Sequence, residues 1–179
     1  IDLIKNSYHY VGFNLYGDPM QCLMSKGTYE NDSDYYGDLG YITYKFDKNY
    51  RNAMEITQYI NHNYGLNIEG IGLHGTAIEI RERKFVGISQ RNDGKRSVLL
   101  VKSKNEYDSL IKGKDKEKYN YINESNLLMD KKKINAIPVR LTKGMEFENV
   151  YVYDRNMNHK EMYVACTRAL ENLCVIKSR

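Results

Sequence analysis

The chain has 179 residues, which suits one domain with a small appendage, and 41% of them are hydrophobic, which is enough for a real core. Its net charge of +4 is mildly basic but balanced locally by acids, so charge alone supports a polyanionic partner only weakly. No apolar stretch approaches the roughly 20 residues needed to cross a bilayer. The three cysteines are far apart without CxxC spacing, which indicates neither a disulfide framework nor a zinc site and favours the cytoplasm.

The first half of the chain predicts strands that lead into helices. Residues 11–15 predict a short strand that runs into the turn at 17–19, and the acidic, glycine-containing segment 29–40 is predicted as a loop. Residues 41–46 alternate like a strand, and from Asn52 the apolar spacing is helical. Residues 76–80 and 97–101 predict two more strands. A predicted helix at 106–112 follows, with Asn105 as its candidate N-cap.

The second half continues the same alternation. The charged run 112–118 is predicted as a solvated turn, and strands are predicted at 119–122, 134–141 and 149–153. A helix at 160–170 and a closing strand at 173–177 complete the series. This order predicts an α/β fold with a mainly parallel sheet flanked by helices. Because ligands of such sheets bind beyond the carboxyl ends of the strands, we expect the functional residues at that edge.

Four segments carry the residues that point to a function. In chain order they resemble motifs III, IV, V and VI of UvrD/Rep-type superfamily 1 helicases. The matching segments are Gly17-Asp18-Pro19-Met20-Gln21 (GDxxQ), Asn49-Tyr50-Arg51-Asn52 (NYRS), Lys143-Gly144-Met145-Glu146-Phe147-Glu148 (KGLEFD) and Tyr163-Val164-Ala165-Cys166-Thr167-Arg168-Ala169 (YVAxTRA). Four matches in family order are hard to explain by chance. The resemblance implies a RecA-like P-loop NTPase fold and an ATP-dependent DNA helicase or translocase.

Three of these residues suit phosphoryl transfer. The reaction spreads negative charge over the γ-phosphate oxygens, and a planar guanidinium can hold that charge with two hydrogen bonds. By resemblance, Arg168 is the arginine finger that reaches the γ-phosphate across an interdomain cleft, and Arg51 contacts the same phosphate. The alternative for each arginine is a surface ion pair. The amide of Gln21 could sense the phosphate or orient the attacking water, or it could only cap a turn.

The remaining candidates lie in motifs IV and V. The resemblance makes Tyr50 the residue that stacks on adenine and Glu146 the acceptor of a ribose hydroxyl, while Gly144 permits close approach or a positive φ. Core packing for Tyr50 and simple solvation for Glu146 or Lys143 are the alternatives. By resemblance, the contacts with the nucleic-acid backbone come from Thr142, Lys143 and Arg140, the last standing where relatives commonly have histidine.

The chain lacks its own Walker A loop, because no GxxxxGK[ST] pattern is present. The resemblance therefore implies that residues 1–44 are the trailing part of a first RecA-like domain with motif III, and that 45–179 form the second. ATP and Mg²⁺ would be used by the longer parent, with the metal held by the missing first domain. We expect this fragment alone to be inactive. We interpret the start at Ile1 and the end just after the apolar run 173–176 as cuts inside a longer protein.

Two departures from the family leave the partner open. The implied partners are single-stranded DNA and the missing N-terminal RecA-like domain. The aromatic that usually stacks on bases is, however, absent from residues 22–27 or displaced to Tyr29. Residues 53–142, between motifs IV and V, leave little room for the large domain that UvrD and Rep insert there. This compactness resembles the HelD/helicase IV-like branch, some of whose members act on RNA polymerase. A polymerase-remodelling ATPase and a nuclease-linked helicase subunit therefore remain alternatives.

Overall fold

The computed structural model describes residues 47–89 and 95–178. The strands predicted at 11–15 and 41–46, the loop at 29–40 and motif III with Gln21 lie outside the described residues. The predicted domain boundary at residue 44 also lies outside them. Within the described ranges, no helix is long and apolar enough to cross a membrane.

Eight strands and three α-helices make up the described part of the chain. The elements are β1 (Lys48–Asn49), α1 (Met54–Tyr64), β2 (Glu69–Gly70), β3 (Thr76–Arg81), β4 (Ser97–Val101), α2 (Lys104–Leu110), β5 (Tyr119–Tyr121), β6 (Ile134–Pro138), β7 (Phe147–Tyr153), α3 (His159–Cys166) and β8 (Ala169–Lys177). Strands β1 and β2 form a short parallel pair. The other six form one sheet in the order β3-β8-β7-β4-β6-β5, with every neighbouring pair parallel. The predicted α/β class with a mainly parallel sheet is confirmed.

Apolar residues cover both faces of this sheet. Val98 and Leu100 of β4 pack in the core that includes residues of α1 and α3. Leu99 and Val101 point the other way and pack with Tyr107 of α2. Because successive side chains of a strand face opposite sides, a strand buried on both faces needs a continuous apolar run. This explains why β4 and β7 were the clearest strands in the sequence.

Two ends differ from the sequence predictions. Helix α2 begins at Lys104 and is capped by Ser103, whose hydroxyl accepts a hydrogen bond from the Asn105 amide at 3.2 Å, so the prediction of Asn105 as cap was wrong. Strand β6 ends at Pro138, and a single 3₁₀ turn, Val139–Leu141, replaces the predicted extension of the strand to residue 141.

Helix α3 also ends earlier than predicted. It ends at Cys166, and Thr167 caps its carboxyl end, with its hydroxyl donating to the carbonyl of Val164 at 2.9 Å. The next residues join β8, where Ala169 pairs with Phe147 of β7. Pairing with a distant strand therefore overrides the helical spacing that continued to residue 170, and Arg168 lies just beyond the helix rather than on it.

A polar contact fixes the connection between β2 and β3 on the first turn of α1. The carboxylate of Glu55 accepts hydrogen bonds from the His74 ring at 2.8 Å and from the backbone amide of Gly75 at 2.7 Å. Gly75 itself packs directly on the backbone of Glu171, where a Cβ would lie only 1.9 Å from the carbonyl oxygen. The segment before β3 is thus held against both α1 and β8.

Candidate functional site

The predicted residues of motifs IV, V and VI meet at the amino edge of the sheet. Glu146 directly precedes β7, and Arg168 directly precedes β8. The expectation that the functional residues lie beyond the carboxyl ends of the strands was therefore wrong for these two. In a parallel sheet each connection returns the chain to the amino edge, so the last residues of a motif that fills a connection lie there. Motifs V and VI both end in this way.

Arg51 joins motif IV to motifs V and VI. Its Nη1 lies 3.1 Å from Oε1 of Glu146, and its Nη2 donates to the carbonyl of Thr167 at 3.4 Å. The side chains of Arg51 and Glu146 are each 40% exposed. The guanidinium can therefore be reached from solvent while it is paired with Glu146.

Arg168 is turned into the protein, with 2% of its surface exposed. Its Nε donates to the carbonyl of Val164 at 3.1 Å, and its Nη1 donates to the carbonyl of Met145 at 3.3 Å. The backbone makes a reciprocal contact, because the amide of Phe147 donates to the Arg168 carbonyl at 3.0 Å. Motifs V and VI are therefore joined through both the side chain and the backbone of this arginine.

Tyr50 and Gly144 border this cluster. Tyr50 is 68% exposed, so its ring is not part of the core. Gly144 has a φ of +79°, in the left-handed region, and a Cβ at this position would meet nothing within 4 Å. Gly144 is therefore required for the backbone conformation rather than for close approach.

The three residues predicted to contact nucleic acid have different surroundings. Thr142 is buried, and its hydroxyl donates to the carbonyl of Val139 at 2.7 Å. Lys143 is exposed. Arg140 is exposed in the 3₁₀ turn after β6, near the carboxyl edge, and its Nη2 lies 3.1 Å from Oε1 of Glu124. Residues 139–146 thus lead from Arg140 near one edge of the sheet to Glu146 at the other.

A third arginine, which the sequence analysis did not single out, lies beside motif V. The side chain of Arg96 bonds to the carboxylate of Glu148, and its Nη2 donates to the carbonyl of Glu146 at 3.3 Å. Burial opposes ionisation of Glu148, but hydrogen bonds from backbone amides and from Arg96 outweigh it, so the pKa of this carboxyl lies below its usual value. Arg96 comes next to motif V only because β4 pairs with β7.

Asn52 was also missed, although it is the most buried polar residue of motif IV, with 1% exposed. Its side-chain amide bonds to the carbonyls of Thr167 and Ala169, the two residues that flank Arg168. The one available signal was that asparagine stands here in place of the serine of NYRS.

The carboxyl edge of the sheet carries a separate cleft of about 940 Å³ at the ends of β3, β7 and β8. Its walls include Arg81, Arg155 and Lys177, and Lys177 lies between the carboxylates of Glu79 and Asp154, at 3.4 and 3.7 Å. The residues that line it include none of the predicted site residues. The cluster at the amino edge is therefore the candidate site.

No family model matches the chain, and no curated protein matches it. The C-terminal domain of a possible DNA helicase from Lactobacillus plantarum WCFS1 is 19% identical, with a TM-score of 0.48, over 72% of this chain and 87% of that one. The arterivirus nonstructural protein 10 helicase is 11% identical, with a TM-score of 0.38, and the alignment covers 72% of this chain but only 24% of that one. A complex of the arterivirus helicase with DNA is 10% identical, with a TM-score of 0.37, over 73% of this chain and 25% of that one. At these identities and TM-scores the similarity assigns no activity to this chain.

Proposed function

We propose that the chain supplies the second motor domain of an ATP-driven nucleic-acid helicase or translocase. One observation carries the proposal: segments 49–52, 143–148 and 163–169, distant in sequence, meet at one edge of the sheet through Arg51–Glu146 and Arg168–Met145 contacts. The cluster contains the accessible guanidinium of Arg51, the buried guanidinium of Arg168, a carboxylate and an exposed tyrosine, which are groups that suit the binding of a nucleoside triphosphate.

The present hydrogen bonds of the two arginines are ones that a nucleotide can replace. Arg51 would leave Glu146 for a γ-phosphate oxygen, and Glu146 would accept a ribose hydroxyl instead. The described contacts of Arg168 include hydrogen bonds to the neutral carbonyls of Val164 and Met145 and to the Thr167 hydroxyl. Hydrogen bonds to a charged phosphate are stronger than those to a carbonyl, so closure around a nucleotide would favour rotation of the buried side chain toward it.

The remaining site residues fit the same arrangement. Tyr50 is exposed beside Arg51 and would stack on the base. Arg140 and Lys143 offer exposed positive charge for phosphates of a single DNA strand. Because residues 139–146 connect Arg140 to Glu146, movement at the nucleotide would be transmitted to the nucleic-acid contact through this short segment.

The other half of the ATP site would come from a first RecA-like domain of the parent protein. That domain would supply the Walker A lysine and the hydroxyl that holds Mg²⁺. The chain alone would then bind nucleotide weakly and hydrolyse none.

The compactness of the domain favours one second candidate, an ATPase of the HelD type that remodels RNA polymerase. Between β1 and β7 the described residues are largely taken up by the sheet, its helices and short connections, and β7 leads to α3 through residues 154–158 alone. Such a remodelling factor would use the same nucleotide site but would not respond to DNA.

The test is ATP hydrolysis by the full-length parent protein, with and without single-stranded DNA, in the wild type and in Arg168→Ala. The matched control is Arg83→Ala, because Arg83 is exposed in the 3₁₀ turn after β3 and remote from the motifs. We expect DNA to stimulate turnover, Arg168→Ala to abolish it with nucleotide binding retained, and Arg83→Ala to leave it unchanged. Turnover that ignores DNA but needs Arg168 would favour polymerase remodelling. Turnover unaffected by Arg168→Ala would refute the proposed site.

A further inference from the structure

Asn52 links the two candidate arginines from within the core. Its Nδ2 donates to the carbonyl of Thr167 at 3.2 Å and to the carbonyl of Ala169 at 2.5 Å. Arg168 lies between these two residues, so the Asn52 amide holds the backbone on both sides of it. Only 1% of the surface of Asn52 is exposed.

The acceptor side of the same side chain is also fixed. Oδ1 of Asn52 accepts a hydrogen bond from Nδ2 of Asn49 at 2.8 Å. Oδ1 of Asn49 in turn accepts the backbone amides of Arg51 at 3.0 Å and Asn52 at 3.2 Å. These two asparagines therefore connect the backbone of Arg51 to the backbone that flanks Arg168.

Asn52 also supplies hydrogen bonds to the first residues of β8 on the edge that pairs with β3 only later along the strand. Strand β3 pairs with β8 only from Asn172 onward, opposite Thr76. Before that point the Ala53 amide donates to the Leu170 carbonyl at 2.8 Å, and the Asn52 side chain donates to the carbonyls of Thr167 and Ala169. Unpaired buried carbonyls are costly, so the Asn52 amide stabilises the start of β8, together with Arg51 Nη2, which also donates to the Thr167 carbonyl at 3.4 Å.

The chemistry of this contact needs two donor hydrogens on one atom. An amide nitrogen carries two, a serine hydroxyl carries one, and an ionised aspartate carries none. Serine, the residue of the NYRS pattern, could therefore donate to only one of the two carbonyls from this position. Aspartate, which has nearly the same shape, would direct negative charge at both.

We propose that Asn52 is a positioning residue that sets the separation of Arg51 and Arg168 for the reaction at the γ-phosphate. The inference rests on the proposed function, because it assigns Asn52 a role in the same site. Misplaced arginines stabilise the transition state less, since the charge to be held develops there. Loss of Asn52 therefore lowers kcat more than it raises KM.

The experiment measures kcat and KM for ATP as a function of pH in the full-length protein, for Asn52→Asp and Asn52→Ser. The matched control is Asn135→Asp, because Asn135 is also buried and its Nδ2 donates to a backbone carbonyl, that of Asp130, at 2.8 Å, remote from the motifs. We expect kcat near neutral pH to fall about 100-fold in Asn52→Asp and about 10-fold in Asn52→Ser, with KM changed less than about threefold. The control keeps the wild-type kcat.

The pH profile separates positioning from simple destabilisation. At position 52 the protonated form of an aspartate regains one donor; burial and the two facing carbonyl oxygens favour this form, whereas the Arg51 guanidinium and the Asn49 amide favour the ionised form. The ratio of variant to wild-type kcat is thus expected to rise as the pH falls and the introduced carboxylate is protonated. In Asn52→Ser the ratio stays flat.

The outcomes distinguish this inference from the proposed function. If Arg168→Ala abolishes turnover but Asn52→Asp leaves kcat and its pH profile as in the wild type, Asn52 does not position the arginines. If Asn135→Asp lowers kcat as much as Asn52→Asp does, the effect is one of stability and the inference is also overturned. If neither Arg168→Ala nor Asn52→Asp alters turnover, the proposed function itself fails.

Discussion

Replacement of Arg51 by alanine should separate stability from turnover. The ion pair between Arg51 and Glu146 spans 3.1 Å, but both side chains are 40% exposed, so solvent screens it and it contributes only about 0.5 kcal/mol. For a chain of this size, that loss lowers the melting temperature by about 1–2 °C. If Arg51 contacts the γ-phosphate, the same substitution lowers turnover about 10³-fold, the lower end of the effect of arginine fingers.

Glu146→Gln is the matched variant, because it breaks the same ion pair from the other side and leaves the guanidinium in place. Thermal unfolding of the chain should show the same small shift for both variants. ATP turnover of the full-length protein should fall much further in Arg51→Ala than in Glu146→Gln. A melting temperature lowered by more than about 5 °C in Arg51→Ala, or equal turnover in the two variants, would refute this reasoning.

Three further predictions concern stability and reactivity. Gly144 and Gly113 both have positive φ, and a Cβ at either would meet nothing within 4 Å, so alanine at either position should lower the free energy of unfolding in urea by about 1 kcal/mol. Only Gly144→Ala should also lower ATP turnover, and equal turnover in the two variants would contradict the role given to motif V. Burial raises the pKa of the Cys166 thiol to about 12 and that of the Cys174 thiol to about 11. Mass spectrometry should therefore find neither cysteine labelled by iodoacetamide until the chain unfolds, and rapid labelling of either one in the folded protein would contradict this. Hydrogen bonds from an imidazole and a backbone amide lower the pKa of Glu55 from 4.5 to about 2, so its contribution to stability is present above pH 4.5 and is lost as the pH falls toward 2. In Glu55→Gln the melting temperature should depend less on pH across that range, and an unchanged slope of melting temperature against pH would contradict the assignment.

The elements that the sequence predicted well are those with a signal in their own residues. Strands β4 and β7 contain the apolar runs 98–101 and 150–153 because both of their faces are largely buried, and such runs are visible without any partner. Gly144 likewise predicted a backbone conformation that other residues rarely adopt, and its φ is +79°.

Errors arose at the ends of two helices, where alternative contacts compete. The helical spacing at 160–170 continues past Cys166, but Ala169 pairs with Phe147 and ends the helix. The cap of α2 is Ser103 rather than its neighbour Asn105, because the strand ends at Val101 and leaves Ser103 extended. At α3, hydrogen bonds to a distant strand outweighed a weak local preference. At α2 the competition was local, because the Ser103 hydroxyl bonds to the Asn105 amide and to the Glu106 carboxylate of the same turn.

The sequence by itself determined the α/β class, the order of the strands along the chain and the residue types suited to phosphate chemistry, because periodicity and short motifs are properties of consecutive residues. Only the tertiary structure decided that these residues meet at the amino edge of the sheet, that Arg51 pairs with Glu146, and that Arg168 is buried. It alone brought Asn52 to the carbonyls on either side of Arg168. These contacts join residues more than 90 positions apart, and their geometry depends on how the parallel strands are ordered in the sheet.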